Sequence, residues 1–226
     1  MSVGVAPSLR QRLGLLRAAL PVTPVMRLPH DNIDLYAKIE YVNPTGSTKD
    51  RSAFWILKQA VDRGELTEGS TVVESSSGNF AISLATFCRT LHIPFVPVID
   101  PHVNRATEAF LRAACARVEK VTEPDGSGGY LHSRLSRVRE LRAEIDGAYW
   151  PNQYANGDAA AAHYRFTGGE LCAAFARIDY VFIGVSSGGT IAGLSRRLKE
   201  RDPRVRTVAV DAEGSAVFGQ RPGRRR

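Results

Sequence analysis

The 226 residues carry 30 Lys and Arg against 23 Asp and Glu, a formal charge of +7, with 43% hydrophobic and 23% charged residues. This is the composition of a globular chain with enough residues for one large domain or two small ones. No apolar run approaches the roughly 18–20 residues of a membrane span, and Cys88, Cys115, Cys172 and five scattered histidines have neither CxxC nor metal-ligand spacing. The opening MSVGVAPSLRQRLGLLRAAL lacks the regions of a secretory signal and reads as an amphipathic helix framed by arginines. Reduced thiols, a cytoplasmic location and no metal are the expectation. Part of the charge lies in the final RPGRRR. Without a basic face interleaved with aromatics, no nucleic-acid partner is expected. The charge reads either as a solvated surface or as a field that attracts an anionic substrate.

In chain order, Ile33 to Val42 alternates as a strand and NPTG breaks it. Thr48 to Arg63 reads as a helix with Ser47 as N-cap, Asp50 in capping-box position and Gly64 at its end. Thr71 to Glu74 is a short strand, SSSG a loop, and Asn79 to Leu91 a helix. Pro94 to Ile99 is apolar and strand-like, Val103 to Ala116 helical, Arg117 to Val121 a strand and Tyr130 to Ile145 a helix. After a turn at Gly147, Tyr149 and Trp150 open a segment that passes into one helix over Ala159 to Phe175. Tyr180 to Val185 is a buried-type strand, Gly188 to Glu200 a helix and Thr207 to Asp211 a last strand. The alternation predicts an α/β fold with mostly parallel sheets. The PDGSGG loop at 124–129, or the turn at Gly147, suits a hinge between two lobes.

Open α/β sheets bind ligands where strand ends pass into helices and backbone N–H groups are available. Two such junctions are rich in glycine and hydroxyls, TVVESSSGNF at 71–80 and VFIGVSSGGTIAG at 181–193. In the second, Ser186, Ser187, Gly188, Gly189 and Thr190 stand between a strand and a helix, which is the chemistry of a phosphate cup. A tight strand-to-helix turn uses glycine too, so that reading also stays open. In GSTKDR, Lys49 falls in the first helical turn, where the helix dipole disfavours a cation. An amine that sheds its proton readily suits a Schiff-base nucleophile. The alternative is an exposed lysine paired with Asp50. The GxxxxGK[ST] order of a Walker A loop is absent.

NPTGSTKDR, then SSSGN, then GVSSGGTIAG resemble, in that order, the fold-type II pyridoxal-phosphate enzymes of the cysteine synthase group. TPVMRLP at 23–29 is similar to the group's TPLxxL stretch, and NQYANGDAAAAHY at 152–164 to its segment that begins with a substrate-binding glutamine. The resemblance spans nearly the whole chain. It implies pyridoxal 5'-phosphate as cofactor, carried by Lys49, which would also remove the substrate Cα proton. It further implies Asn79 on the cofactor's ring hydroxyl, Ser186 to Thr190 on its phosphate, and Ser76, Ser77 and Gln153 on the substrate α-carboxylate. Phe80, the SSGGT form of the cup and VDAEGSAVFG at 210–219 look more like the siderophore-pathway synthases that join an activated serine to glutamate, giving a precursor of 2,3-diaminopropionate. The implied reaction is β-replacement on O-phospho-L-serine with the amine of L-glutamate, the alternative being a cysteine synthase using O-acetylserine or O-phosphoserine and sulfide. Ser187 and Tyr154 are candidates for choosing the substrate, the packed tyrosine and helix-capping serine being the plainer reading.

The same resemblance implies a two-lobed, tryptophan synthase β-like fold. Its larger lobe would be 1–44 with 149–226, and its smaller lobe 45–148, carrying Lys49 and the SSSGN loop. It implies a homodimer with small-molecule amino-acid substrates. Family members continue past the point where RPGRRR stands. The last part of the larger lobe is therefore expected to be missing, with weak cofactor binding and poor turnover, or a remnant that only binds cofactor.

Overall fold

The computed structural model describes residues 6–215 and 217–219. RPGRRR, the first five residues of the opening stretch and Ala216 of VDAEGSAVFG lie outside the described residues. The chain divides into two compact units, Met1–Asn152 and Gln153–Arg226. No described helix is long and apolar enough to cross a membrane.

The first unit opens with α1 (Leu9–Ala19), where Ser8 and Gln11 form a capping box. An antiparallel hairpin follows, β1 (Val25–Leu28) and β2 (Leu35–Lys38), in register from Val25 opposite Lys38 to Leu28 opposite Leu35. The strand expected over 33–42 is thus shorter, because Glu40–Val42 tightens into a 3-10 turn. Next come α2 (Lys49–Asp62), β3 (Thr71–Ser75), α3 (Asn79–Leu91), β4 (Phe95–Ile99) and α4 (Arg105–Ala114). The unit closes with β5 (Glu119–Lys120), α5 (Leu131–Glu144) and β6 (Ala148–Tyr149).

The four strands from β3 to β6 form one parallel sheet in the order β5-β4-β3-β6. TVVES and FVPVI are almost wholly buried along their length. Continuous rather than alternating burial is what a parallel strand covered on both faces requires. Val73, Val96 and Val98 form a core with Val138 and Leu141 of α5, with Trp150 packed against it. The carboxyl ends of β3 and β4 therefore come out of a rigid core, and they carry the SSSG loop and Asp100.

In the second unit, α6 (Gly157–Arg165) and α7 (Thr167–Ala174) precede a β-α-β element of β7 (Tyr180–Gly184), α8 (Gly189–Arg201) and β8 (Arg206–Val210). β7 and β8 pair in parallel from Tyr180 opposite Arg206 to Gly184 opposite Val210. The single helix expected over 159–175 is broken at Phe166 (φ −84, ψ −77). Gly168 and Gly169 follow immediately and weaken the helix there. A Cβ at Gly168 would stand 2.8 Å from the Arg197 side chain, so the glycine also makes room for α8.

Candidate active site

In the first unit the loop Asn43–Thr48 delivers Lys49. The Gly46 N–H donates to the Asn43 carbonyl at 2.8 Å, and Gly46 takes φ +81, which glycine adopts without strain. NPTG is thus a closed turn immediately before α2. The capping box expected from Ser47 and Asp50 does not form. The Lys49 N–H donates to Ser47 Oγ at 3.3 Å, but the Asp50 carboxylate turns inward and accepts from the Thr45 N–H at 2.7 Å. It also accepts from the hydroxyls of Thr45 and Ser83, the latter at 2.6 Å. A buried carboxylate takes the donors that satisfy it, and here these are on the loop and on α3 rather than on its own helix end.

Lys49 is half-buried, and burial holds its amine below the usual lysine range. Desolvation is the resolved cause, where the sequence had pointed to the helix dipole. Among the described residues no carboxylate pairs with Lys49, and Asp50 is engaged elsewhere. The Thr48 hydroxyl beside it is buried without a hydrogen-bond partner. Arg51 is pinned on the far side of the turn, donating to Glu40 at 2.7 Å and to Thr23 at 2.9 Å.

The SSSG loop leaves β3 with the Ser76 N–H donating to the Val98 carbonyl at 3.2 Å. Ser76 is buried, Ser77 half-buried, and Asn79 exposed as the first residue of α3. No side chain caps that helix. Ser77 Oγ donates to Asp100 at 3.3 Å and accepts from Arg134 Nη1 at 3.4 Å, while Arg134 Nε stands 3.1 Å from the same Asp100 carboxylate. Neither Asp100 nor Arg134 was singled out from the sequence. Asp100 sits just past the carboxyl end of β4, a position that the strand pattern does offer. Arg134 is one of several arginines on α5, with no spacing that sets it apart.

In the second unit Gln153 is half-buried and Tyr154 41% exposed, both in the turn ahead of α6. Ser186 is exposed and Ser187 half-buried between β7 and α8. Gly188 adopts φ +84 at the N-cap of α8, again with no side-chain cap, so the first-turn N–H groups face outward from a 13-residue helix. The neighbouring glycines have another task. A Cβ at Gly189 would stand 3.2 Å from the Ala159 Cβ, and one at Gly193 would overlap the Ala160 carbonyl oxygen. Both open readings of the glycine-rich turn therefore have a physical counterpart: Gly188 makes the turn, while Gly189 and Gly193 admit α6. Thr190 Oγ1 lies 3.2 Å from His163 Nε2, and His163 Nδ1 lies 3.1 Å from Thr167 Oγ1. His163 is fully buried and was missed in the sequence, although its i,i+4 spacing to Thr167 is a usable signal.

Chemically, the first unit offers an amine less protonated than an ordinary lysine, and both units offer uncapped helix N-termini suited to anions. Residues 16–226 match the family described as pyridoxal-phosphate dependent enzyme. The chain is 42% identical over 193 residues to N-(2-amino-2-carboxyethyl)-L-glutamate synthase of Ralstonia nicotianae, covering 85% of this chain and 57% of that protein. It thus spans little more than half the length of that relative. The crystal structure of an O-acetylserine dependent cystathionine beta-synthase from Helicobacter pylori superposes with a TM-score of 0.81 at 30% identity, covering 92% of this chain and 69% of the other. A hydrogen sulfide-producing enzyme from Fusobacterium nucleatum superposes at 0.87 with 26% identity, covering 96% and 67%.

Proposed function

The chain belongs to the pyridoxal-phosphate dependent enzyme family, and from that premise we propose that it serves β-replacement on O-phospho-L-serine with the amine of L-glutamate, giving a precursor of 2,3-diaminopropionate. The similarity to the Ralstonia glutamate-adduct synthase supports the substrates. The observation that carries an anionic leaving group is Arg134, a cation held against Ser77 at 3.4 Å.

The residues present fit the cofactor. Lys49 has an amine that burial keeps less protonated, the Thr48 hydroxyl beside it is buried without a partner, and the α8 N-terminus is uncapped behind a left-handed Gly188. When bound, pyridoxal phosphate supplies the electron sink for carbanion chemistry at Cα. Lys49 is read as the residue that holds it covalently and then takes the Cα proton. Asn79 is read as the donor to its ring hydroxyl, with Ser186, Ser187, Gly188, Gly189 and Thr190 on its phosphate. Ser76, Ser77 and Gln153 hold the substrate α-carboxylate, and Arg134 steadies the departing phosphate as negative charge gathers on it. Tyr154 and Ser187 are placed to choose the second substrate. The lobe division given from the sequence, a homodimer and a cytoplasmic location belong to the same reading.

A second reading, O-acetylserine as donor and sulfide as nucleophile, is favoured by the likeness to the Helicobacter pylori structure. The test is to feed O-phosphoserine and O-acetylserine separately, each with glutamate and with sulfide, and to identify products by mass spectrometry. The glutamate adduct formed from O-phosphoserine is the expected product. Preference for O-acetylserine and sulfide would overturn the substrate choice and leave the family intact.

A further inference from the structure

We infer that Asp50 is a positioning residue, tying the first turn of α2 to the first turn of α3 so that the Lys49 amine is held in register with Asn79. The inference rests on the reading of Lys49 as the residue that captures the cofactor aldehyde. Asp50 follows Lys49 directly, and successive side chains on a helix diverge by about 100°. The carboxylate therefore leaves on a different side from the amine. It is fully buried, an expensive place for an acid near a helix end where solvent and its own helix would satisfy it.

The donors that meet it are informative. The Thr45 N–H reaches Oδ2 at 2.7 Å, and the hydroxyls of Thr45 and Ser83 both reach Oδ1, Ser83 at 2.6 Å. Ser83 stands one turn beyond Asn79, with its Oγ 3.0 Å from the Asn79 carbonyl oxygen. Its single proton has two acceptors in reach. The shorter distance and the charge on a carboxylate assign it to Asp50. Three donors converge on one acceptor-only group, which an amide would not match without turning its own N–H groups on the hydroxyls. Arg51, bonded to Glu40 and Thr23, anchors the other side of the same turn. Lys49 is thereby presented from a backbone fixed on two sides, and only the Asp50 side reaches the helix that begins with Asn79.

A register role and a purely structural role predict different things. Capture of an aldehyde depends on where the amine sits, whereas noncovalent binding of the rest of the cofactor does not. The experiment uses the full chain with Asp50→Asn and Ser83→Ala, at a temperature where circular dichroism shows each variant folded. Borohydride trapping reads the rate of pyridoxal phosphate attachment at Lys49, and calorimetry reads the dissociation constant of pyridoxine 5'-phosphate, which has no aldehyde. Loss of one hydrogen bond to a charged group corresponds to a slowing of about tenfold or more in trapping. Binding of the alcohol analogue is expected to stay within about twofold, well under the roughly 1.4 kcal/mol of a tenfold change. Ser83→Ala leaves Asp50 its two Thr45 donors, so it carries the test if Asp50→Asn fails to fold. Parallel weakening of both ligands, or unchanged trapping, would overturn the inference. Wild-type protein that binds the analogue but is never labelled at Lys49 would overturn the lysine assignment and this inference with it. A labelled wild type with indifferent variants would overturn this inference alone.

Discussion

Replacing Gly193 by alanine tests whether α6 and α8 touch backbone to backbone. In isolation the substitution should stabilise a helix by about 1 kcal/mol, because alanine loses less conformational freedom than glycine. Here the new methyl would overlap the Ala160 carbonyl oxygen and stand 2.7 Å from the Tyr164 nitrogen and 2.9 Å from the His163 Cβ. Two of those three atoms are main chain of α6 and have no rotamer to escape into. Overpacking costs about 1–3 kcal/mol, and a backbone obstacle places this case at the upper end. The net expectation is a destabilisation of about 2 kcal/mol, with α6 displaced and the contact between His163 and Thr190 loosened. Chemical denaturation of Gly193→Ala beside Gly14→Ala gives the comparison, since a methyl at Gly14 in α1 meets nothing within 4 Å. Hydrogen exchange over residues 157–201 should locate the loss. A Gly193→Ala protein as stable as the wild type, or more so, would refute the close approach.

Two further outcomes follow from the site. A lysine whose pKa falls on folding binds fewer protons in the native than in the unfolded state between that lowered value and 10.5, so wild-type stability should rise with pH across that window. Lys49→Met should therefore be the more stable protein at neutral pH, with the difference closing as pH approaches 10.5; a constant difference in denaturation at pH 7 and pH 10 would speak against a desolvated amine. Tyr154→Phe should raise the Michaelis constant for glutamate more than that for O-phosphoserine, and equal constants for both proteins would return the tyrosine to packing.

Much of the fold was legible because burial on both faces leaves a plain mark in sequence. TVVES and FVPVI are apolar runs bounded by turns, and the helix over 79–91 has the same bounds in sequence and structure. What was illegible depends on contacts between distant segments. β1 pairs with β2 through a register that TPVMRLP alone does not carry. The break at Phe166 answers to α8, whose Arg197 occupies the space beside Gly168. The candidate site divides in the same way. Lys49, the SSSGN loop and the SSGGT turn stood out because glycine and hydroxyls cluster where a strand meets a helix. Asp100, Arg134 and His163 did not, since each acquires its place only from a partner far along the chain or one helical turn away. Asp50 was read by a local rule, as a capping residue, and a tertiary partner, Ser83, outcompeted that rule.

The claim on which the rest depends is that Lys49 carries the cofactor. Incubation with pyridoxal phosphate, borohydride reduction and peptide mapping should place one pyridoxyl group on the peptide containing Lys49, and Lys49→Ala should abolish it. A pyridoxyl group on another lysine, or none although the cofactor binds, would contradict the account.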